Sequence, residues 1–137
     1  MSNSVQGILT DIYDAWRAQN LDLLATYLPD DFSHFINVPL EMHALGEARH
    51  GKSAVLERFE LIFDQFDMQC LDTSHLSVNA RSAAVQVRKQ CRHRASGAVL
   101  DMTKTDLWTL EDGWPVKLFE HYDLDQFKSF MEAATRR

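Results

Sequence analysis

Apolar residues recur at two different periods along this chain, and the change of period divides it. Val5, Ile8, Leu9, Ile12, Tyr13 and Trp16 return every three or four positions, which predicts an amphipathic helix over about 4–18 with Ser4 as its cap. Leu21, Leu24, Ala25 and Leu28 continue in a second short helix, opened by Asn20 and closed at Pro29, and the two form a hairpin. Phe32 to Val38 reads as a short strand ended by Pro39, after which positions 39–51 are irregular. A third helix starts at Lys52 or Ser53. Val55, Leu56, Phe59, Ile62, Phe63 and Phe66 share one of its faces, with Glu57, Arg58, Glu60 and Asp64 largely on the other.

From Asp67 to Asp123 the period falls to two, interrupted by turns at Asn79-Ala80-Arg81, Ser96-Gly97 and Asp112-Gly113. The strands between these turns run to about 10–13 residues against an ordinary five or six, which implies a strongly bent sheet with a concave side. Asp123, three positions before Gln126, then caps a terminal helix carrying Leu124, Phe127, Phe130 and Met131. No repeat, low-complexity tract or linker interrupts the chain, so residues 1–137 form one domain.

The period-two region contains charges where apolar residues belong. In Leu100, Met102, Lys104, Asp106, Trp108, Leu110, alternate residues share a face, and a Lys and an Asp sit between apolar pairs. Across a tight hairpin, facing positions have a constant sum. Asp72 then faces Lys89, Cys70 faces Cys91, Lys89 faces Lys104, and Val87 faces Asp106. A bulged turn at Asp112-Gly113 brings Val116, Leu118, Glu120 and Tyr122 onto the same side. The opposite side is polar, with Leu71, Leu107 and Phe119 scattered through it.

Asp72, Lys89, Lys104, Asp106 and Glu120 are therefore expected to project inward. Burying an unpaired charge costs several kcal/mol, so these residues either satisfy one another or line a cavity. The first alternative is an internal salt-bridge network without chemistry. The second is a general acid/base pocket in which Asp106 and Glu120 carry protons and Lys104 stabilises an enolate or alkoxide.

Composition narrows the partners. Hydrophobic residues make up 45% and charged residues 25% of 137, as in a globular domain, and 14 basic against 20 acidic residues leave a net charge of −6. That balance argues against a nucleic-acid surface. No run approaches the roughly 20 apolar residues that span a bilayer, and Met1 to Gln6 lack a basic start and an apolar signal core, so no membrane partner is expected and a cytoplasmic location is the default. Cys70 and Cys91 read as buried thiols. His34, His43 and His50, with Glu41 and Glu47, lack tight ligand spacing, so no metal is expected. No glycine-rich phosphate loop or nucleophile elbow is present, and no cofactor is implied.

Asn20-Leu21-Asp22, Pro29-Asp30-Asp31, the helix opened by His50-Gly51, and Glu120-His121-Tyr122-Asp123 ahead of the last helix occur in an order that resembles the nuclear transport factor 2-like superfamily. Within it the chain is most similar to the SnoaL-like proteins, relatives of ketosteroid isomerase and limonene epoxide hydrolase. The resemblance covers nearly the whole chain. It implies an α+β fold, a curved antiparallel sheet wrapped around helices into a cone, with one pocket between the first helix, the 39–50 segment and the sheet. It also implies pairing of two copies through the outer sheet face, where Leu71, Leu107 and Phe119 lie.

The catalytic aspartate that epoxide hydrolases carry on the last strand matches Glu120, and their pocket asparagine matches Asn37, but their middle-strand arginine and aspartate fall on Val87 and Lys89. The isomerases' first-helix tyrosine aligns with Ile12, beside Tyr13, and their general base falls near Asn37 or Val38. Neither family mechanism transfers; the pocket's location does. The residues expected around a ligand are Tyr13, Trp16, Asn37, His43, Phe59, Phe63, Lys89, Met102, Trp108 and Tyr122, with Lys104, Asp106 and Glu120 as the chemical centre. The ligand expected is a small, mostly apolar organic molecule, with room for proton transfer of isomerase, cyclase or dehydratase type. The rival expectation is a non-catalytic binding or dimeric interaction module.

Overall fold

The first four N–H groups of a helix have no partner within it, and side chains supply one at each helix start here except that of α3. Ser4 accepts from the Gly7 amide at 3.0 Å and opens α1 (Val5–Arg17); Asn20 accepts from Leu23 at 3.0 Å and opens α2 (Leu21–Tyr27). The computed structural model describes residues 4–40 and 43–135, and Glu41 lies outside them. It continues through β1 (Ser33–Ile36), a 3-10 turn (Ala44–Gly46), β2 (Arg49–His50) and α3 (Lys52–Gln65). Four long strands follow, β3 (Phe66–Val78), β4 (Ser82–His93), β5 (Val99–Glu111) and β6 (Trp114–Tyr122), and then α4 (Leu124–Thr135), whose first amides are taken by the Asp123 carboxylate.

The strands form one curved, unclosed sheet in the order β2-β1-β6-β5-β4-β3, antiparallel throughout except that β1 runs parallel to β6. The architecture is the expected α+β one. Leu9, Trp16, Val55 and Phe59 from α1 and α3 pack with Val85, Val87, Trp108 and Leu118 of the sheet. A second cluster gathers Ile36, Val38, Cys91, Leu100 and Met102 under Phe127 and Phe130 of α4. On β5 the two clusters meet at Lys104 and Asp106, which separate Met102 from Trp108 and belong to neither. Close approach also shapes the 39–50 segment: a Cβ on Gly46 would lie 2.2 Å from the Val38 carbonyl oxygen, so only glycine fits there.

Register departs from the expectation in three places, each through a bulge or a wider turn. In β3, shifts between Met68 and Cys70 and between Ser74 and Ser77 put the middle of the strand out of phase with its ends. Leu71 is therefore buried, while Cys70 and Asp72 face outward, so Asp72 leaves the inward set, Leu71 leaves the outer face, and Cys70 is not a buried thiol. Cys70 faces Gln90 and Cys91 faces Met68.

The β4–β5 turn spans more residues than Ser96-Gly97, which slides the pairing by two. Lys89 faces Met102, and Lys104 faces Val87, not Lys89. A slide of two preserves the face, so Lys104 still points inward. At the last hairpin Asp112 and Gly113 adopt positive φ of 52° and 76°, a two-residue turn, and the bulge falls in β6 at Val116, opposite Thr109 and Leu110. Leu118 and Glu120 are buried with Tyr122 half-buried beside them, whereas Pro115, not Val116, is buried near the turn.

Candidate functional site

Lys104, Asp106 and Glu120 are 2%, 1% and 2% exposed, so their chemistry is set by one another. The Lys104 ammonium lies 3.0 Å from Asp106 Oδ1 and also donates to Glu120 Oε1. Tyr122 Oη donates to the same Glu120 oxygen at 2.9 Å and accepts from Lys89 Nζ. The other carboxylate oxygen, Oε2, is held by His34 Nε2. On the far side of the imidazole, Arg58 Nη1 is 3.3 Å from His34 Nδ1, and Arg58 Nη2 donates to the Glu47 carbonyl. A guanidinium only donates, so Nδ1 accepts and the ring proton sits on Nε2, facing Glu120. A continuous polar wall results: Arg58, His34, Glu120, Tyr122, Lys89.

The two carboxylates behave oppositely. Burial alone would raise Glu120, but Lys104 and the His34 hydrogen bond outweigh it and hold the carboxyl well below the usual range. Burial raises Asp106 against the pull of Lys104, with Glu120 adding to the rise; Tyr13 Oη donates to its Oδ2 at 2.6 Å. Burial opposes the Lys104 ammonium, but Asp106 and Glu120 reverse the balance and raise it. Lys89 has no such pairing. Burial, and then Lys104, lower it, and its ammonium sits 4.7 Å from the centre of the Tyr122 ring. Burial and Glu120 raise the Tyr122 hydroxyl.

A cavity of about 360 Å³ opens against this wall. Glu120, Tyr122, Lys89 and Arg58 reach it, with Arg49 from β2 and His43 from the segment before the 3-10 turn. The rest of its lining is mostly apolar: Trp16, Ile62, Phe63 and Phe66 on one side, Phe127, Phe130 and Met131 of α4 on another. Burial lowers His43, whose Nδ1 accepts the Leu45 amide at 3.0 Å.

The expected site residues divide accordingly. Trp16, His43, Phe63, Lys89, Glu120 and Tyr122 line the cavity; Lys104 and Asp106 lie behind its wall. Tyr13, Phe59, Met102 and Trp108 face inward but pack in the core, where Trp108 Nε1 donates to Tyr13 Oη at 3.0 Å. Asn37 is spent on backbone. Its amide side chain donates to the Tyr122 carbonyl at 3.1 Å and accepts from the Tyr122 amide at 2.9 Å, which fixes β1 to the end of β6.

His34, Arg58 and Arg49 were not among the expected residues. Parity identifies His34, since Phe32, His34, Ile36 and Val38 alternate and all four are buried. Helical spacing identifies Arg58, which falls with Val55, Phe59 and Ile62 on the inner face and is 3% exposed, not on the outer face as its charge suggested. Arg49 lies on a two-residue strand that offers no periodicity. Among the described residues no group of three or more His, Cys, Asp or Glu side chains is arranged to hold a metal ion, and no helix is long and apolar enough to cross a membrane.

The family model of the SnoaL-like domain matches residues 9–121. No curated protein shows significant sequence similarity to the chain. Among solved structures, the chain is similar to an NTF2-like protein of unknown function from Burkholderia pseudomallei, with 18% identity, a TM-score of 0.81, and 95% and 98% of the two chains covered. It is similar also to TerC co-crystallised with polyporic acid, with 15% identity, a TM-score of 0.81, and 96% and 99% covered. An LEH-like epoxide hydrolase from M. tuberculosis shares 9% identity at a TM-score of 0.75, with 94% and 90% covered. Other structures of this fold carry provisional isomerase and polyketide cyclase names. At such identities the likeness establishes the fold.

Proposed function

The chain belongs to the SnoaL-like domain family, and from that premise we propose that it binds a small, mostly apolar organic molecule in the cavity bounded by α3, α4 and the polar wall, and moves a proton on it. The observation that carries this reading is the combination of a mostly apolar cavity of about 360 Å³ with one strip of polar groups, Glu120, Tyr122 and Lys89, on a single wall. Volume and lining are those of a small-molecule site, in which apolar surface supplies affinity and a few polar groups fix orientation.

The chemistry falls to Lys89 more than to the acids. Glu120 is held ionised with both oxygens occupied, which makes it a poor base and a firm anchor for the Tyr122 hydroxyl. Asp106 is shut behind the wall. Lys89 faces the cavity, its ammonium is disfavoured by burial, and its proton is the one most readily exchanged with a bound carbonyl compound. In the neutral form the amine removes a proton from carbon alpha to the carbonyl; as ammonium it stabilises the enolate oxygen and returns the proton. Lys104, Asp106 and Tyr13 support the wall from behind.

The test is proton exchange on 2-tetralone in heavy water, followed by NMR. Exchange above the buffer rate that disappears in Lys89→Met supports the reading. Binding of 2-tetralone without exchange favours a purely binding module, the second reading, for which the full occupancy of Glu120 speaks. Absence of binding, with the same result for a cavity-filling Ile62→Trp variant, would remove both.

We further propose that two copies pair through the outer sheet face. The register sets Phe35 beside Phe119 and Phe119 beside Leu107, across β1, β6 and β5, and Leu107 is 41% exposed. Such a strip is the kind of surface that a twofold partner covers.

A further inference from the structure

The ionisable groups on the cavity wall do not balance. Among the described residues lining the cavity, Arg49, Arg58 and Lys89 are cationic and Glu120 alone is anionic, in a chain whose net charge is −6. Glu120 is already shared among Lys104, Tyr122 and His34, so none of its accepting capacity is directed at the two arginines except through the neutral imidazole. Arg49 Nε is buried and makes no hydrogen bond. Its terminal nitrogen Nη1 stands 3.8 Å from Glu57, whose side chain is 71% exposed, a long and solvated pair that neutralises little.

Arg58 has one Nη1 contact with His34 and one Nη2 contact with the Glu47 backbone, neither of which brings a negative charge. Burial and then the neighbouring Arg49 weaken its hold on its proton, only partly offset by Glu120 and Glu47. Two guanidinium groups that repel each other, at the edge of a mostly apolar cavity, with a buried N–H unsatisfied, form an arrangement completed by an anion.

We propose that the cavity's ligand is a carboxylate with an apolar ring body, its acid group gripped by Arg49 and Arg58 and its rings lying among Phe63, Phe66, Phe127 and Phe130. This deepens the binding reading above and rests on it. A planar carboxylate fits the planar donor fork of arginine, which a neutral carbonyl or alcohol does not exploit. The aromatic side chains around the cavity supply the apolar contact. The anion also settles the like-charge pair, so the site favours the ionised acid over its neutral analogue of the same shape.

The test uses three probes on the whole chain, with binding measured by calorimetry at moderate salt: 2-naphthoate, its neutral isostere 2-naphthamide, and 2-tetralone. The expected result is that 2-naphthoate binds about tenfold or more tightly than 2-naphthamide, and that Arg49→Gln reduces this preference to about threefold or less. Arg49→Lys, which keeps the charge and loses the fork, should give an intermediate preference. Thermal melting verifies that each variant folds. Equal binding of the acid and the amide, or a preference that survives Arg49→Gln intact, overturns the proposal while leaving the small-molecule reading in place, provided 2-tetralone still binds. Failure of all three probes to bind overturns both.

Discussion

Lys104 is the residue on which the buried charges depend, because among the described residues it is the one cation that contacts both Asp106 and Glu120. Removing one partner from a buried ion pair typically costs about 3–5 kcal/mol, since the remaining charge loses its compensation. Lys104→Met should therefore destabilise by about that amount in urea denaturation. Asp106→Asn, which keeps an acceptor for the Tyr13 hydroxyl and leaves Lys104 with Glu120, should cost about 1–2 kcal/mol. Equal costs for the two would show that Lys104 is not the hub.

Lys89 gives a test with a definite sign. Its folded-state pKa is lowered, so between that value and the ordinary lysine value near 10.4 the unfolded chain binds more protons, and its contribution to stability rises with pH. Tyr13, Tyr122 and Lys104 are raised and work the other way at the alkaline end, so the informative quantity is a difference. The urea midpoint of the natural chain should therefore rise relative to that of Lys89→Met between pH 7 and pH 10. A gap independent of pH would mean that Lys89 is not strained in its charged form.

At the scale of the element, β3 is where sequence reasoning and structure part, and the difference is chemical as well as geometrical. Two bulges turn Cys70 outward with its Sγ 3.4 Å from Asp72 Oδ2, and this hydrogen bond, then partial desolvation and the carboxylate charge, raise the thiol. Cys91 is buried on β4. A mild alkylating reagent should thus label Cys70 alone in the native protein, and Asp72→Asn should speed that labelling several-fold at pH 8 by making the thiolate easier to form. Labelling of Cys91 at a comparable rate would contradict the register.

The 39–50 segment depends equally on one position. Gly46→Ala forces a methyl group into the Val38 carbonyl, so the segment that brings His43 and Arg49 to the cavity should shift, weakening ligand binding more than it lowers the melting temperature.

For the molecule as a whole, the helices, their caps and the inward direction of Lys104, Asp106 and Glu120 were legible because periods of 3.6 and 2 are carried by many residues at once. One bulge cannot hide so long a pattern. What is not legible depends on single insertions: the two bulges of β3, the wider turn after β4, and the bulge in β6 are invisible to a rule that assumes constant register. Arg58 and His34 are hidden for another reason: their polarity suggests the outside, while each falls in phase with apolar neighbours and is buried.

The cavity itself could not be placed from periodicity, because it depends on how α4 settles over the second core cluster and on which inward-facing residues it leaves uncovered. Light scattering should report a dimer at micromolar concentration and a monomer for Phe119→Asp, whose charge falls in the middle of the outer aromatic strip. A natural chain that is already monomeric would sink the pairing.

Apart from Arg58 and Gln65 of α3 and Gln19 after α1, the polar groups facing the cavity hang on the sheet and the segment attached to it, while Leu61, Ile62 and Phe63 of α3 and Phe127, Phe130 and Met131 of α4 furnish much of the greasy surface. Those two contributions are separable. Swapping Ile62, Phe63, Phe130 or Met131 for residues of other sizes would recut the space without disturbing Glu120 or its anchors, so a single rigid backboard can serve compounds of many outlines. Variation along the helices would then retool what the proposed site accepts, whereas a change at His34, Lys104 or Glu120 would dismantle the board itself.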